Sequence, residues 1–329
     1  MTTIRLRLRR LIGALALAGS FAAQAADFPS KPITLVVPFA PGGFVHAVAL
    51  MFGESMGAIL GQPVVVVNQP GVNGSLAANN VARAAADGYT IFIPTTSILT
   101  INPHLYKSVQ YDPRTDFVPI GTIVSTSNLF VVNPASGIKS LKDIVDRARA
   151  QPGQISYGSS GSGSIQHIAG ELLQQQAKIK LLHVPYKGIG PAVTDVMTGS
   201  ITFVFSDASA IPNVKGGKLA AIAVSPRALD ELPGVPSLAE AAPIAGVPQF
   251  APPVLWYGLV APKGTPADVV AKLNAAMVQS LNKSDIRQKL TAAGAIAADN
   301  PSGEHLASVI RAEYDKYGAL LKSMNIAPE

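Results

Sequence analysis

The chain has 329 residues, 48% of them hydrophobic and only 14% charged, against about 25% charged in an average soluble protein. That length approaches two ordinary domains with ample material for buried cores, and the composition excludes a disordered tail, a coiled coil and a basic nucleic-acid arm. Cysteine is absent, which removes disulfides, thiolate-bound zinc, iron–sulfur clusters and cysteine nucleophiles together; the formal net charge is +6.

The first segment reads as a secretory leader over residues 1–25. Arg5, Arg7, Arg9 and Arg10 form a basic region, Leu11 to Phe21 an apolar stretch too short to span a bilayer, and Ala23-Gln24-Ala25 a cleavage signature. Cleavage after Ala25 removes four arginines and no acid, so most of the net positive charge belongs to targeting and nucleic acid is not an expected partner. A cysteine-free exported chain suits an oxidising compartment such as a periplasm.

Beyond the leader, strands and helices alternate. Ile33 to Val37 is an apolar, β-branched strand ended by Pro38 and followed by the turn Pro41-Gly42-Gly43. Val45, Val48, Ala49, Phe52, Met56, Ile59 and Leu60 then recur at helical spacing until Gly61. Val64 to Val67 is the next strand, Ala77 to Ala86 a small-residue helix, and Tyr89 to Ile93 a third strand. This βαβαβ order predicts a parallel sheet covered by helices.

A second run begins near residue 128. Strands are expected at Leu129–Val132, Ile155–Tyr157, Leu181–Val184, Ile201–Phe205 and Leu219–Val224, with helices at Leu141–Ala150, after Ser164 and near Pro191–Met197. Leu229 to Pro253, rich in Pro, Ala and Gly, reads as a return crossing before a strand at Leu255–Val260 and two amphipathic helical regions. The expected architecture is two α/β lobes: residues 26–127 begin the first, 128–249 form the second, and 250–329 complete the first.

Chemistry concentrates in loops that end strands and open helices. The first is Pro38 to Gly43 and the second Ser159 to Ser164. Unpaired amides and the peptide dipole at a helix N-terminus bind a carboxylate or phosphate without a cationic side chain, and glycine permits close approach. The alternative reading is a pair of ordinary turns with helix caps. The dinucleotide fingerprint fails at Gln166, no P-loop is present, and Ser162 occupies the last glycine position of a nucleophile elbow centred on Ser160. Of the histidines His46, His104, His167, His183 and His305, no two have metal-binding spacing. His167 can meet a ligand or cap the structure; His183, in a strand, reads as core. Tyr186, Lys187 and Gly188 form a third strand-to-helix loop that Asp195 would support, and Asp207 is a candidate hinge or pocket residue.

The segments "VVPFAPGG", "GQPVVVVNQPG", "ADGYTIFIPTTSILTINPHLY", "YDPRTDFVPI", "YGSSGSGSIQHIAGELL", "HVPYKGIGPAVTDVMTGSI" and "WYGLVAPKGTP", in this order over residues 29–266, resemble the extracytoplasmic receptors of tripartite tricarboxylate transporters, also called Bug receptors. The resemblance implies a type II periplasmic-binding fold, two lobes closing on a small carboxylate that is passed to a permease of a large and a small membrane subunit. It implies no cofactor, no metal and no catalysis, and the receptor is expected to be a monomer. Carried onto this sequence, it implies ligand contacts at Pro41, Gly42, Gly43, Thr95, Ser97, Ser159, Gly161, Gly163, Ser164 and His167, with Tyr186, Lys187 and Gly188 beside them. A receptor feeding a membrane sensor is the alternative; a secreted hydrolase using a serine of the second loop is a remote one.

The sequence departs from the family pattern P-G-G-x-x-D-x-x-A-R. His46 stands at the aspartate, Leu50 at the arginine, and Phe44 where a small residue is common. Losing that aspartate points to an acid without an ammonium group, larger or aromatic, because Phe44 and His46 alter the pocket mouth. The alternative is that Phe44 packs inward and His46 faces solvent.

Overall fold

The structure is a computed structural model and describes residues 28–225 and 227–323. The leader expected over residues 1–25 lies outside the described residues. No described helix is long and apolar enough to cross a membrane.

The chain builds two sheets. In the first half come β1 (Ile33–Val37), α1 (Phe44–Leu60), β2 (Val64–Asn68), α2 (Ser75–Ala82), β3 (Thr90–Phe92), a π-helical turn (Ser97–Ile101), α3 (Asn102–Leu105) and β4 (Phe117–Thr126). The middle supplies β5 (Asn128–Val132), α4 (Leu141–Ala150), β6 (Ser156–Ser159), α5 (Ile165–Ala177), β7 (Leu182–Pro185), α6 (Ile189–Thr198), β8 (Phe203–Ser206), α7 (Ile211–Lys215), β9 (Ala220–Ser225) and α8 (Leu238–Ile244). The last part adds β10 (Leu255–Pro262), α9 (Ala267–Leu281), α10 (Ser284–Ala292), β11 (Ala295–Ala297) and α11 (Gly303–Ser323).

The first sheet has the order β11-β4-β10-β3-β1-β2 and the second β7-β6-β8-β5-β9. The expected parallel core is present: β1 runs parallel to β2 and β3, and β6 to β7 and β8. Both sheets are mixed overall. β10 is antiparallel to β3 and β4, β11 to β4, and β5 to β8 and β9.

β4 was not visible in the sequence pattern because Pro119 and Gly121 interrupt its apolar alternation. Pro119 pairs with Val260 at a register shift, where an irregular ladder tolerates its missing N–H. Gly121 is required by contact: a Cβ there would lie 2.1 Å from the Pro301 carbonyl oxygen, just before α11. The helix expected over 77–86 runs instead from Ser75 to Ala82, because Arg83 leaves helical geometry.

Strands of the first sheet come from residues 33–126 and 255–297, those of the second from 128–225. The passages between sheets are pinned by buried contacts. Asn128 Nδ2 donates to the Pro253 carbonyl (2.9 Å), and Thr96 Oγ1 donates to Val254 O while accepting from Trp256 N, both at 2.9 Å. Phe250, on the return crossing, packs edge-on against Phe130 (5.9 Å between centroids), and Phe130 packs edge-on against Phe205 (4.5 Å). Burying one such ring contributes about 1.5–3 kcal/mol, more than a single surface contact.

Candidate functional site

Parallel strands deliver their carboxyl ends to one side of a sheet, and helices start there with unpaired amides. In the first sheet that side carries the loops after β1, β2 and β3. In the second it carries the loops after β6, β7 and β8. A groove of about 460 Å³ between α1 and β2 lies elsewhere: its lining includes Gly57, Gly61 and Val64, at the end of α1 and the start of β2.

After β1, Gly42 takes φ +95° and Gly43 is the N-cap of α1, with no side-chain cap and no acid in the first turn. Pro41, Gly42 and Gly43 are exposed, and a Cβ on either glycine would meet nothing within 4 Å. The first helical bond runs from Ala47 N to Gly43 O (3.1 Å), so the amides of Phe44, Val45 and His46 precede the ladder and have no intrahelical acceptor. Asn68 Nδ2 steadies the loop by donating to Phe39 O at 2.7 Å. Phe44 does pack inward, its ring 5.2 Å from that of Tyr257. His46 is half-buried rather than turned to solvent, and its Nδ1 is buried without a hydrogen-bond partner among the described residues.

After β3, Thr95 bridges to Tyr257 and Ser97 opens the π-helical turn; both are buried. Thr96, between them, was not singled out in the sequence. Its hydroxyl ties β3 to β10, and three adjacent hydroxyl residues were the available signal.

The serine loop after β6 spends its hydroxyls on itself. Ser159 is wholly buried; its Oγ accepts from Gly161 N (3.1 Å) and lies 2.7 Å from His183 Nε2. Ser160 Oγ donates to Gln166 Oε1 (2.9 Å), and Ser164 Oγ caps α5 by accepting from His167 N (3.3 Å). His167 Nδ1 accepts from Gly163 N (3.1 Å), which braces the loop from within. The His167 ring stacks on His183 (4.2 Å) and His183 on Tyr157 (5.0 Å), while Tyr157 Oη donates to Glu171 (2.9 Å). Burial pushes both imidazoles down to about 4, and for His183 the neighbouring His167 adds to the effect. His183 is therefore a half-buried brace rather than a purely packed core residue. A fully covered Ser159 hydroxyl also has no room to attack a substrate. The donors this loop leaves for a ligand are the first amides of α5, at Ile165 and Gln166, because the Gly161 and Gly163 amides already donate to Ser159 Oγ and His167 Nδ1.

After β7, Tyr186 N donates to Ser159 O (3.0 Å) and Tyr186 Oη to Asp195 Oδ2 (2.6 Å), so Asp195 holds this loop as expected. Burial and then Asp195 push the Tyr186 phenol up to about 12. Lys187 is exposed, and Gly188 (φ +157°) caps α6 with open space beside it. After β8, Asp207 is buried and accepts from Ser209 N at 2.9 Å.

The two loop sets meet. Tyr106, just after α3, donates from Oη to Ser162 O, and Gly163 sits so near Leu105 that a Cβ would approach its Cδ1 to 2.7 Å. Tyr106 and Leu105 were not among the residues read from the sequence. Their role depends on an approach between segments more than fifty residues apart.

A family model described as tripartite tricarboxylate transporter family receptor matches residues 48–326. The chain is 33% identical over 295 residues to the protein BugT of Bordetella pertussis, covering 88% of this chain and 89% of that one. Among solved structures, Rpa4515 of R. palustris with adipate superposes with a TM-score of 0.83 at 31% identity, covering 92% of this chain and 100% of the other. MatC (Rpa3494) from Rhodopseudomonas palustris with bound malate superposes with a TM-score of 0.81, also at 31% identity, covering 89% and 100%.

Proposed function

The chain belongs to the tripartite tricarboxylate transporter receptor family, and from that premise we propose that it captures a small carboxylate in the periplasm and hands it to the large and small subunits of a membrane permease. Residues 26–127 and 250–329 act as one lobe and 128–249 as the other, closing on the ligand like a clamp. The observation that carries this reading is the uncapped N-terminus of α1, where a Cβ on Gly42 or Gly43 would meet nothing within 4 Å. The adipate and malate of the two related structures are acids of the size this reading requires.

The residues divide by task. Pro41, Gly42 and Gly43 admit a carboxylate to the amides of Phe44, Val45 and His46. Thr95 and Ser97 line the same end of the first lobe, and Gly161, Gly163 and the start of α5 close from the second. Ser159, Ser164 and His167 hold that loop in shape, while Tyr186, Lys187 and Gly188 form its rim. Each helix-terminus charge interaction contributes about 0.3–1 kcal/mol when exposed and up to about 2 when partly buried. Closure raises its worth by excluding water.

Titration calorimetry of the leader-free protein with dicarboxylic acids of four to six carbons tests the reading. At least one acid binds, and at a hundredfold excess over its Kd it stabilises the fold by about 2.7 kcal/mol, seen as a higher melting temperature. A protein that binds none of them, and whose gene deletion leaves their uptake intact, is not this receptor.

A further inference from the structure

One peptide unit is held from both lobes. Tyr106, just after α3 in the first lobe, donates from Oη to the Ser162 carbonyl. The N–H of the same unit, on Gly163, donates to Nδ1 of His167 on α5 at 3.1 Å. The unit is trans, since the one cis bond among the described residues is Phe28–Pro29, so its oxygen and its hydrogen point opposite ways. A hydrogen-bond chain therefore runs from lobe one, through a single amide plane, to an imidazole of lobe two. Bonds in such a chain polarise and strengthen one another.

A backbone N–H only donates, so Nδ1 must offer its lone pair and the ring proton sits on Nε2. Nε2 lies 3.9 Å from Glu171 Oε1, too far for a hydrogen bond. That oxygen already accepts from Tyr157 Oη (2.9 Å) and Gln174 Nε2 (2.6 Å). The ring of His183 stacks on that of His167, with centroids 4.2 Å and planes 17° apart, and His183 Nε2 is tied to Ser159 Oγ at 2.7 Å. The titratable groups around the imidazole are thus Glu171 on its own helix, His183 on β7, Tyr157 on β6 and Tyr106 from the other lobe. Burial favours the neutral ring.

A second proton has only Nδ1 to go to. It would set two N–H groups against each other across 3.1 Å, and a ring flip gives no relief because both nitrogens then carry hydrogen. The Gly163 amide must turn away. Gly163 N and Ser162 O belong to one rigid plane, so the carbonyl turns with it and leaves Tyr106. The loop is also packed against Leu105, whose Cδ1 would lie 2.7 Å from a Cβ on Gly163, so the movement disturbs that contact too. We propose that Tyr106 and His167 form a proton-sensitive latch between the lobes, in which His167 positions the Ser162–Gly163 peptide for Tyr106 only while Nδ1 is unprotonated, so that the receptor loosens its hold on a carboxylate in acid. The inference rests on the two-lobe receptor reading and adds its regulation.

Calorimetry with succinate, malate and adipate at about pH 7 and about pH 5, across the range where an imidazole titrates, tests it. The proteins are the native chain, His167→Asn and Tyr106→Phe, each checked for its fold by circular dichroism at both values. The native protein loses about 3- to 30-fold in affinity for an acid on going to the lower pH, the upper limit being an imidazole that regains its ordinary pKa of about 6.5 when the lobes part. The acid's own titration is common to all three proteins and cancels in the comparison. His167→Asn puts an amide oxygen in place of Nδ1, an acceptor that does not titrate. Its affinity at about pH 7 stays within about threefold of native, and the fall towards about pH 5 shrinks by about threefold or more. Tyr106→Phe keeps the ring and loses the donor, which weakens binding at about pH 7 by about 2- to 10-fold and reduces the pH response as well. A histidine that merely supports the loop gives no pH response that depends on Tyr106. Equal falls in the native protein and His167→Asn, or a pH response that Tyr106→Phe leaves unchanged, overturn the latch and leave the receptor reading standing. Failure of every acid to bind at either pH overturns both.

Discussion

Substituting Gly163 by alanine probes the meeting of the two lobes most directly. Gly163 has φ +74°, and an added Cβ would lie 2.7 Å from Leu105 Cδ1 and 3.4 Å from Tyr106 Oη. Two costs follow, and they fall on different states. The left-handed backbone costs an alanine about 1–2 kcal/mol whether or not the lobes are together. The overlap with Leu105 costs about 1–3 kcal/mol, and only where the lobes meet. The first cost lowers the melting temperature of the ligand-free protein and cancels from the binding equilibrium. The second weakens ligand affinity by about 5- to 150-fold. The Gly163 amide still donates to His167, so the loop keeps its brace. Combining Gly163→Ala with Leu105→Ala removes the overlap and restores most of the affinity, although a buried leucine is lost at about 2–5 kcal/mol of stability. Calorimetry with the tightest-binding acid, alongside thermal melts of all four proteins, gives the double-mutant cycle. Affinity within twofold of the parent in the single variant, or a loss undiminished in the double variant, refutes a closure contact at this point.

Two further outcomes test other links. His167 and His183 are held down to about 4 against an ordinary 6.5, so the unfolded chain takes up more protons between those values and stability falls as pH drops from about 6.5 to about 4. Each contributes a slope of at most about 1.4 kcal/mol per pH unit; melts across that window in the parent and in His183→Phe should show the slope reduced in the variant, and an unchanged slope removes the imidazoles as its cause. Glu313, whose carboxyl burial raises despite its bond from Trp256 Nε1, works with the opposite sign as pH rises, so the comparison belongs in a Glu313→Gln background. Gly121→Ala forces a Cβ against the Pro301 carbonyl; it should yield insoluble or unfolded protein by circular dichroism, and a normal melt would show that α11 can move away from β4.

The alternating lobes were legible because helical and strand periodicities differ and glycine and proline punctuate them. The strand-to-helix loops were legible for the same reason: Pro41-Gly42-Gly43 and Gly161-Ser162-Gly163 sit where strands end and helices begin. The division of labour within the serine loop was not. A row of serines looks like a row of ligand donors, yet Ser159, Ser160 and Ser164 all hydrogen-bond within lobe two. Whether a hydroxyl faces a ligand or its own backbone depends on loop conformation, and composition does not encode that.

By itself the sequence determined the local elements, the strand-to-helix loops that expose amides and the family pattern that groups them, since each is written in neighbouring residues. The tertiary structure alone decided that β4 threads Pro119 and Gly121 through the sheet and that Tyr106 reaches Ser162. Those facts arise from contacts between segments far apart in the chain. Their energies come from excluded volume and lost water, which exist only once the segments have met.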